Sequence, residues 1–490
     1  MDNLVVSTRK KIIMDKMFAQ VKISAANNIK SVLNVSARAQ IGSCDCTNGA
    51  VSISGKITAN IVYVSTENKI ETATASADFI EKQKAGFALA DAFAECFVVV
   101  ESVNFSSNEA MIAVSHTANV EGVFNYEIPK IDTQNNSLVV DTNDCVVKNI
   151  KAVSTDGFVV NEDYQTGFDE AEVLSVHSNV LVQNVTAGTG KVVVEGKVLT
   201  ETIYIVNGSA EKLNRELEFK QEIESVKSDS NATADASVVV KNMVVSVENR
   251  VGKVVFVYNV ELSASVYVFE DVKLELVEDL YSLTKELTST YSYFNAKKYK
   301  SIDAIESIFN GQVDISAIES LDDVLFVVNN GAVIDEIIEK ETGVEVLCKQ
   351  QVCVVYKTET AVESLEEVLN FKIDLNKLEG EQLSNINLSS EILSFKVKAG
   401  REVEVTCKYL ANVRFETEES KKYIASYEVV GDKVNQSNGI KVYVAKGGQT
   451  VFEVAKILNV TPETIKEQNE IDEVFESGQK IYVYSPVNLA

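Results

Sequence analysis

Two cysteines separated by a single residue are the first candidates for chemistry in this sequence. Cys44-Asp45-Cys46 could begin a metal site, and the nearest further ligands along the chain are Cys96 and His116. A tetrahedral zinc site needs four ligands that converge on the ion, and sequence spacing does not show convergence here. Two surface cysteines in a turn rich in Gly and Asn are the simpler interpretation. We therefore predict no metal site and no cofactor.

The remaining reactive side chains form no recognisable catalytic set. His116 falls on the apolar face of an alternating run, which predicts a buried, hydrogen-bonded side chain, and His177 has no nucleophile motif beside it. Cys348 and Cys353 lie five residues apart, so on one strand their side chains point to opposite faces. Carboxylates are abundant, but their spacing places no pair for general acid–base catalysis. We predict that the protein is not an enzyme.

The composition describes an acidic globular protein of several domains. A chain of 490 residues exceeds one hydrophobic core and predicts three or four domains. A net charge of −26 repels phosphates and anionic lipid, which argues against nucleic-acid and membrane-surface binding. The seven cysteines are scattered and odd in number, so they suit a reducing compartment in which most serve as small buried hydrophobic residues.

The start of the sequence favours a cytoplasmic location. Arg9, Lys10 and Lys11 form a basic cluster, but the segment 12–16 that follows is too short and too charged for the apolar region of a signal peptide. No stretch approaches 18 uninterrupted apolar residues, so we expect no membrane-spanning helix.

Three segments of the chain share a set of anchors. The anchors are a V-L-x-V element, a Gly-Lys pair, a Tyr and a Phe, and the first three are offset by 141 residues between copies one and two. Copy three has Cys348 in place of the Gly. The anchors are Val32–Val35, Gly55-Lys56, Tyr63 and Phe79; Val173–Val176, Gly196-Lys197, Tyr204 and Phe219; and Val324–Val327, Cys348-Lys349, Tyr356 and Phe371.

The back half of each copy alternates between apolar and polar residues. A period of two with one apolar face is typical of half-buried strands in an antiparallel sheet. We therefore predict a mainly β fold with three tandem antiparallel β-sandwich-like modules. Two amphipathic stretches, 280–294 and 302–309, are expected to be helices between copies two and three. The alternating apolar positions are Ile112, Val114, His116, Ala118 and Val120; Val260, Leu262, Ala264, Val266 and Val268; and Val403, Val405, Cys407 and Tyr409.

The segment 440–484 predicts a small βααβ unit. Thr450 and Glu453 fit a capping box at the start of a helix, and Val451, Val454, Ala455 and Leu458 then fall on one helix face. Asn459 suits the left-handed position at the helix end. Thr461 caps a second helix, with Pro462 in its first turn. A polar segment bounded by Gly431 and Gly439 predicts a linker that detaches this unit.

These features divide the chain into five parts. The predicted parts are repeat 1 over 1–150, repeat 2 over 151–295, repeat 3 over 296–430, a linker over 431–439 and the terminal domain over 440–486.

Two family resemblances follow from these motifs. The repeats resemble the SPOCS module of sporulating Clostridia, a domain of unknown function. The resemblance rests on the V-L-x-V element, the Gly-Lys pair followed by a Tyr-bearing strand, and Asp279-Leu280-Tyr281-Ser282 at the end of copy two. The terminal block resembles a LysM module, a family best known for binding chains of N-acetylglucosamine.

The LysM resemblance implies a binding groove between two loops of the terminal block. Many LysM modules have Asp and Thr in the first loop and a Trp soon after, whereas this sequence has Gln449 and Phe452. Three interpretations stay open: a glycan site, a protein-docking site, or a core without a ligand. The candidate binding residues are Gly447, Gly448, Gln449, Thr450, Val451, Phe452, Ile471, Val474 and Phe475.

SPOCS repeats followed by a LysM module resemble the arrangement of a spore-coat morphogenetic protein. This implies a non-enzymatic scaffold in the mother-cell cytoplasm, at the forespore surface, whose LysM module docks on the coat-basement ATPase, sporulation stage IV protein A. The repeats would recruit other coat proteins or a second copy of the chain. The alternatives are a peptidoglycan- or N-acetylglucosamine-binding protein of the cell wall or spore cortex, and an enzyme hidden in the β-modules.

Overall fold

A computed structural model of the protein is built mainly from antiparallel β-strands. The strands form three successive pairs of sheets, followed by a small unit that contains two short helices. The mainly β fold class predicted from the alternating runs is confirmed. The structure describes residues 4–23, 29–85, 92–106, 111–131, 137–300, 302–398, 401–433, 439–469, 471 and 474–485.

The first pair of sheets contains seven strands. They are β1 (Leu4–Ile13), β2 (Met17–Lys22), β3 (Ile29–Thr47), β4 (Ala50–Ser65), β5 (Ile70–Lys84), β6 (Ala94–Ser106) and β7 (Met111–Ile128). In one sheet, β7 is the central strand, with β1 and β2 along one edge and β6 along the other. The strands β3, β4 and β5 form a three-stranded meander as the other sheet.

The second pair repeats this order with one strand fewer. Its strands are β8 (Leu138–Gln165), β9 (Glu172–Gly188), β10 (Lys191–Val206), β11 (Ser209–Glu224), β12 (Thr233–Arg250) and β13 (Lys253–Ser282). The single long strand β8 takes the place of β1 and β2 beside the central strand β13, and β12 lies on the other edge. The meander is β9–β10–β11.

The third pair has the strand order of the first. Its strands are β14 (Lys285–Tyr299), β15 (Asp303–Asp314), β16 (Leu321–Glu339), β17 (Gly343–Thr358), β18 (Val362–Asn376), β19 (Glu381–Lys398) and β20 (Glu402–Asp432). Here β20 is central between β14 and β15 on one edge and β19 on the other, and β16–β17–β18 form the meander. Below, repeat 1 means β1–β7, repeat 2 means β8–β13 and repeat 3 means β14–β20.

The two helices predicted between copies two and three are wrong. Residues 280–294 belong to the end of β13 and to β14, and residues 302–309 lie almost wholly in β15. Both stretches are rich in β-branched and aromatic residues, which favour strands. Long neighbouring β20 supplies backbone hydrogen-bond partners along both segments, so sheet pairing overrides the apparent amphipathic pattern.

The alternating runs face the interior of each sandwich, as predicted. In repeat 1, Ile112, Val114, Ala118 and Val120 are fully buried between the two sheets, and the matching positions of the other repeats are also buried. Because side chains alternate across a strand, the residues between them lie on the other face of the sheet, away from the sandwich core. Each repeat thus has its own apolar core.

The Gly-Lys and Phe anchors are partners across neighbouring strands. Gly55 pairs with Phe79, and Gly196 pairs with Phe219. A Cβ on Gly196 would lie 2.3 Å from a backbone oxygen and 2.7 Å from the Phe219 ring, so the ring covers the bare backbone. In repeat 3, Cys348 pairs with Phe371, whose ring stacks on Phe309, with centroids 4.2 Å apart.

The three repeats form a closed ring. The last meander strand of each repeat contacts the first meander strand of the next, and β18 of repeat 3 returns to β3 of repeat 1. The V-L-x-V elements meet in a shared cluster, which we call the apolar hub. The apolar hub consists of Leu33, Val62 and Val64 from repeat 1, Leu174 and Ile203 from repeat 2, and Phe326, Val328, Cys353 and Val355 from repeat 3.

Beyond the ring, paired strands of all three repeats continue as a three-ribbon stem. The ribbons are the paired parts of β1 with β7, β8 with β13, and β14 with β20. They share a small core of their own, made of Val6, Ile128, Cys145, Val147, Leu274, Leu276, Phe294 and Ala296.

Residues 439–485, the terminal unit, have the predicted βααβ order. The elements are β21 (Gly439–Val444), α1 (Val451–Leu458), α2 (Pro462–Asn469) and β22 (Lys480–Ser485), with β21 antiparallel to β22. Among the described residues, no helix has the length and apolar character needed to cross a membrane.

Candidate functional site

The terminal unit folds through the local signals seen in its sequence. The Thr450 hydroxyl accepts a hydrogen bond from the Glu453 backbone, and the Glu453 carboxylate accepts one from the Thr450 backbone, so the capping box is complete. Asn459 ends α1 in the left-handed conformation, with φ of 54°. The Thr461 hydroxyl caps α2 by accepting from the Thr464 backbone at 3.2 Å. The unit therefore presents fixed loops at both helix ends.

The two loops named as the candidate binding groove lie against each other. The Gly448 N–H donates to the Phe475 carbonyl at 3.0 Å, and the Phe475 N–H donates to the Gln449 carbonyl at 2.9 Å. The Gln449 side chain is held as well, because its oxygen accepts from the Lys446 backbone at 2.8 Å and from the Tyr443 hydroxyl at 3.2 Å. These backbone groups are thus used within the unit.

The nine candidate residues divide by exposure. Gly447, Gly448, Thr450 and Val474 are exposed, with Val474 56 % exposed, and Gln449 and Ile471 are half-buried. The other three candidates are buried, so their side chains do not form part of the surface. The buried residues are Val451, Phe452 and Phe475.

The buried anchors form the core of the terminal unit. Val451 and Phe452 begin α1, where the apolar helix face meets Val454, and Phe475 packs into the same cluster. Val451, Val454 and Leu458 lie on the apolar face of α1, and this face packs into the interior of the unit. The buried anchors stabilise the unit and cannot contact a partner without unfolding it.

The terminal unit is attached to repeat 2, and this corrects the prediction of a detached module. Residues 434–438 of the predicted linker lie outside the described residues. Tyr281 donates its hydroxyl hydrogen to the Val460 carbonyl at 2.5 Å, and its ring packs edge-on against Phe452 with centroids 5.3 Å apart. The Lys456 ammonium lies 2.6 Å from the Asp279 carboxylate. The Asp279-Leu280-Tyr281-Ser282 motif thus seats the unit on the end of the stem.

The outer face of the two-stranded sheet is apolar and exposed. Its side chains alternate with those that face the helices, as the period of two requires. The free edge of β22 is closed by α2, because the Asn469 side chain exchanges two hydrogen bonds of 2.7 Å with the Tyr482 backbone. The exposed side chains, each at least half exposed, are Ile440, Val442, Val444, Tyr482 and Tyr484.

The cysteines and His116 are interior groups. Cys46 is buried and Cys44 half-buried in β3, so the prediction of two surface cysteines in a turn is wrong, and all seven cysteines are free thiols. The neighbouring Cys96 thiol and burial raise the pKa of Cys44, and burial raises the pKa of Cys407 to about 12. His116 is fully buried as predicted, and burial lowers its pKa, but the predicted hydrogen bond is wrong because neither ring nitrogen has a partner among the described residues. Among the described residues, no three His, Cys, Asp or Glu side chains come together to hold a metal.

A second site lies where the repeats meet, and sequence reasoning missed it. We call it the central charged cluster: Arg9, Glu95, Glu121, Asp235, Tyr267 and Arg414. The Arg414 guanidinium lies 3.1 Å from the Glu121 carboxylate and 2.7 Å from the Asp235 carboxylate. The Arg9 guanidinium reaches the same Asp235 oxygen at 2.7 Å and stacks on the Tyr267 ring, 3.6 Å from its centroid.

Each repeat contributes a different residue at the same structural position of this cluster. The central strands carry Ala-Asn-Val-Glu121, Ala-Ser-Val-Tyr267 and Ala-Asn-Val-Arg414. Their edge-strand partners in the register are Glu95, Asp235 and Asn385. The sequence does repeat an A-x-V motif before each of these positions. The charged or aromatic residue that follows the motif differs in every copy, so the repeat did not reveal the cluster.

The environment sets the charges of the cluster. Burial alone would raise the pKa of Asp235, but Arg414 and Arg9 outweigh it and lower the pKa below the ordinary value. Burial, together with the neighbouring Glu121, raises the pKa of Glu95 to about 7. Within one cluster, the Glu95 carboxyl group is therefore partly protonated near neutral pH, whereas the Asp235 carboxyl group is ionised.

Two segments of the chain match a known family. Residues 28–108 and 170–248 match the family model described as the SPOCS domain of SipL. The first segment contains β3–β6, and the second contains β9–β11 and most of β12, so each match spans a meander and the strand that follows it. The SPOCS resemblance of repeats 1 and 2 is supported, and the domain points to a sporulation-related family that is not an enzymatic one. A search of curated proteins found no match.

Proposed function

We propose that the protein is a non-enzymatic assembly scaffold of the spore coat, with the domain arrangement of SipL. In this proposal the terminal unit is a LysM module that docks on the coat-basement ATPase, sporulation stage IV protein A. The protein would act in the mother cell at the forespore surface, and the ring of SPOCS-type repeats would recruit other coat proteins or a further copy of the chain.

The observation that carries the proposal is the seating of the terminal unit on the stem. One side of α1 is fixed to repeat 2 through Tyr281 and Asp279, while Val474 and the outer sheet face stay exposed. A module held at the end of a three-ribbon stem presents a preorganised apolar surface away from the ring, which lowers the entropic cost of docking. Aromatic side chains such as Tyr482 and Tyr484 commonly anchor such interfaces.

The buried positions of Val451, Phe452 and Phe475 move the proposed contact to their exposed neighbours. The docking surface is then Gly448, Thr450 and Val474 in the two loops, together with the outer sheet face defined above. The acidic surface of the repeats keeps the scaffold soluble before it assembles.

The test is capture of the purified coat ATPase by the full chain. Val474→Asp places a charge on the proposed surface, and Val159→Asp, at a similarly exposed valine of repeat 2, is the matched control. We expect Val474→Asp to lose capture by about tenfold or more, with Val159→Asp unchanged. Failure of the unmodified chain to capture the ATPase, or equal losses in both variants, would contradict the proposal.

The glycan alternative is tested on the same proteins. Sedimentation with purified peptidoglycan that is lost in Val474→Asp and kept in Val159→Asp would favour a cell-wall or cortex protein instead. The backbone N–H groups of Gly448 and Phe475 already donate to carbonyl groups within the two loops, which leaves few donors for a sugar chain. We therefore expect that the unmodified chain does not sediment with peptidoglycan.

A further inference from the structure

A small cavity lined by cations adjoins the central charged cluster. It has a volume of about 50 Å³ and lies between repeats 1 and 3. Four cationic side chains meet there although the chain as a whole carries a net charge of −26. The lining residues are Arg9, Lys11, Glu121, Lys297, Tyr299, Ser384, Arg414 and Glu416.

Carboxylates pair with three of the four cations. Lys297 lies 2.6 Å from Glu416 and 3.6 Å from Glu418. Arg9 and Arg414 share a single oxygen of Asp235, and Glu121 adds one more contact to Arg414. The fourth cation, Lys11, donates to the neutral amide oxygen of Asn385 at 3.1 Å, and no carboxylate of the described residues lies within 4 Å of its ammonium.

The nearby Glu95 carboxyl group does not supply this charge in full. It faces Glu121, Arg414, Arg9 and Tyr267, and burial raises its pKa to about 7. The exposed Lys11 ammonium therefore keeps a positive charge at the cavity that a bound anion would pair.

Arg9 also has donors that nothing in the described chain uses. Its side chain is only 7 % exposed, and its Nε and Nη2 atoms are buried without a hydrogen-bond partner among the described residues. Buried guanidinium donors are nearly always satisfied, and an unmet one is costly. Since Arg9 lines the cavity, an acceptor placed there would meet this need.

We propose that this cavity binds a small tetrahedral oxyanion, with phosphate or sulfate as the simplest members of the class. A buried water needs roughly 10–15 Å³, so a cavity of this volume holds a single small ion. Guanidinium groups such as those of Arg9 and Arg414 match the geometry of oxyanions, and the exposed Lys11 stands at the entrance. The anion would link repeats 1 and 3, where the ring closes.

The test is calorimetric titration of the full chain with inorganic phosphate at constant ionic strength. Lys11→Gln removes the cation at the cavity entrance. The matched control is Lys10→Gln, which removes the same charge from the neighbouring residue of β1. Lys10 lies over the Phe124 ring and does not line the cavity. We expect the unmodified chain to bind one phosphate. Lys11→Gln should weaken the phosphate affinity about tenfold. Lys10→Gln should keep an affinity within about twofold of that of the unmodified chain.

Two results would overturn the site. One is the absence of binding heat for the unmodified chain, and the other is equal weakening in both lysine variants, which would indicate general screening of surface charge. A crystal soaked in selenate gives an independent check through anomalous scattering. A peak within hydrogen-bond distance of Arg9 supports the site, and peaks only elsewhere exclude it.

Discussion

The three repeats meet at two places that are built in opposite ways. At the apolar hub, each repeat supplies similar aliphatic or aromatic residues, such as Leu33, Leu174 and Phe326. At the central charged cluster, equivalent positions hold Glu121, Tyr267 and Arg414, whose groups complement one another. The apolar hub would suit three identical repeats, whereas the charged cluster requires the three different ones. The hub therefore provides cohesion, and the cluster specifies which repeat lies next to which.

Removing a cation from the central charged cluster should have the largest effect on stability. Arg414→Met leaves the buried Glu121 and Asp235 carboxylates without their shared partner. Breaking a buried ion pair from one side typically costs about 3–5 kcal/mol. We expect a loss of this size in the free energy of unfolding, measured by urea denaturation of the full chain.

The control for this variant is Lys396→Met. Lys396 is an exposed cation on β19, next to the strand that carries Arg414. Its replacement by Met therefore removes the same charge without uncovering a buried carboxylate. We expect a change below about 0.5 kcal/mol. Equal stability of the two variants would mean that the charged cluster does not help to hold the ring together.

A cavity at the apolar hub should have the next largest effect. Leu174→Ala removes a side chain that is 3 % exposed and surrounded by residues of all three repeats. Leucine-to-alanine changes in cores cost roughly 2–5 kcal/mol, and we expect the lower half of this range because ring contacts can relax. Thermal unfolding measures the loss, with Leu378→Ala, at a leucine 67 % exposed, as the control. Similar curves for the two variants would show that the hub is not a core.

The contrast explains how much of the fold could be predicted. The V-L-x-V element and the Gly-Lys and Phe anchors recur in similar form because they occupy equivalent buried positions, such as Gly55 against Phe79. Repetition made them visible. Ring closure depends on contacts between residues far apart in sequence, such as Arg9 with Asp235, and the complementary residues differ between copies, so no repeat pattern exposes them.

The terminal unit shows the same limit at the candidate site. Its helices and caps follow local rules, and these were predicted from Thr450, Glu453 and Asn459. Which apolar residues face outward depends on how α1 sits against the sheet and against Tyr281. An amphipathic pattern identifies an apolar face, but it does not show whether that face meets a partner or the core of the same unit.

The charged cluster should also give the ring a pH dependence that the apolar hub lacks. Burial raises the pKa of Glu95 to about 7 in the folded protein, above about 4.3 in an unfolded chain. Between these values the folded state binds the proton that the unfolded state has lost, so stability from this group is present at low pH and falls as the pH rises towards 7. Glu95→Gln should remove this loss.

The measurement is the free energy of unfolding at pH 5 and pH 8 for the unmodified chain and for Glu95→Gln. We expect Glu95→Gln to gain about 1–3 kcal/mol relative to the unmodified chain between the two pH values. The buried His116 changes stability in the opposite direction, because its lowered pKa makes the folded state less stable as the pH falls, but it is present in both proteins and cancels. Parallel pH curves would exclude Glu95 as the responsible group.

The smallest expected effect concerns a polar contact beside the apolar hub. The Asn330 amide donates to the Asn34 side-chain oxygen at 2.9 Å, joining repeat 3 to repeat 1, and Asn34 is only 2 % exposed. A neutral hydrogen bond contributes about 0.5–1.5 kcal/mol. A double-mutant cycle of the two alanine variants should give a coupling of this size. The exposed pair Asn259 and Asn161, with a 2.8 Å contact inside repeat 2, has the same chemistry and should give a coupling near zero. If the exposed pair couples as strongly, burial at the ring closure adds nothing, and the apolar side chains alone join repeat 3 to repeat 1 at the hub.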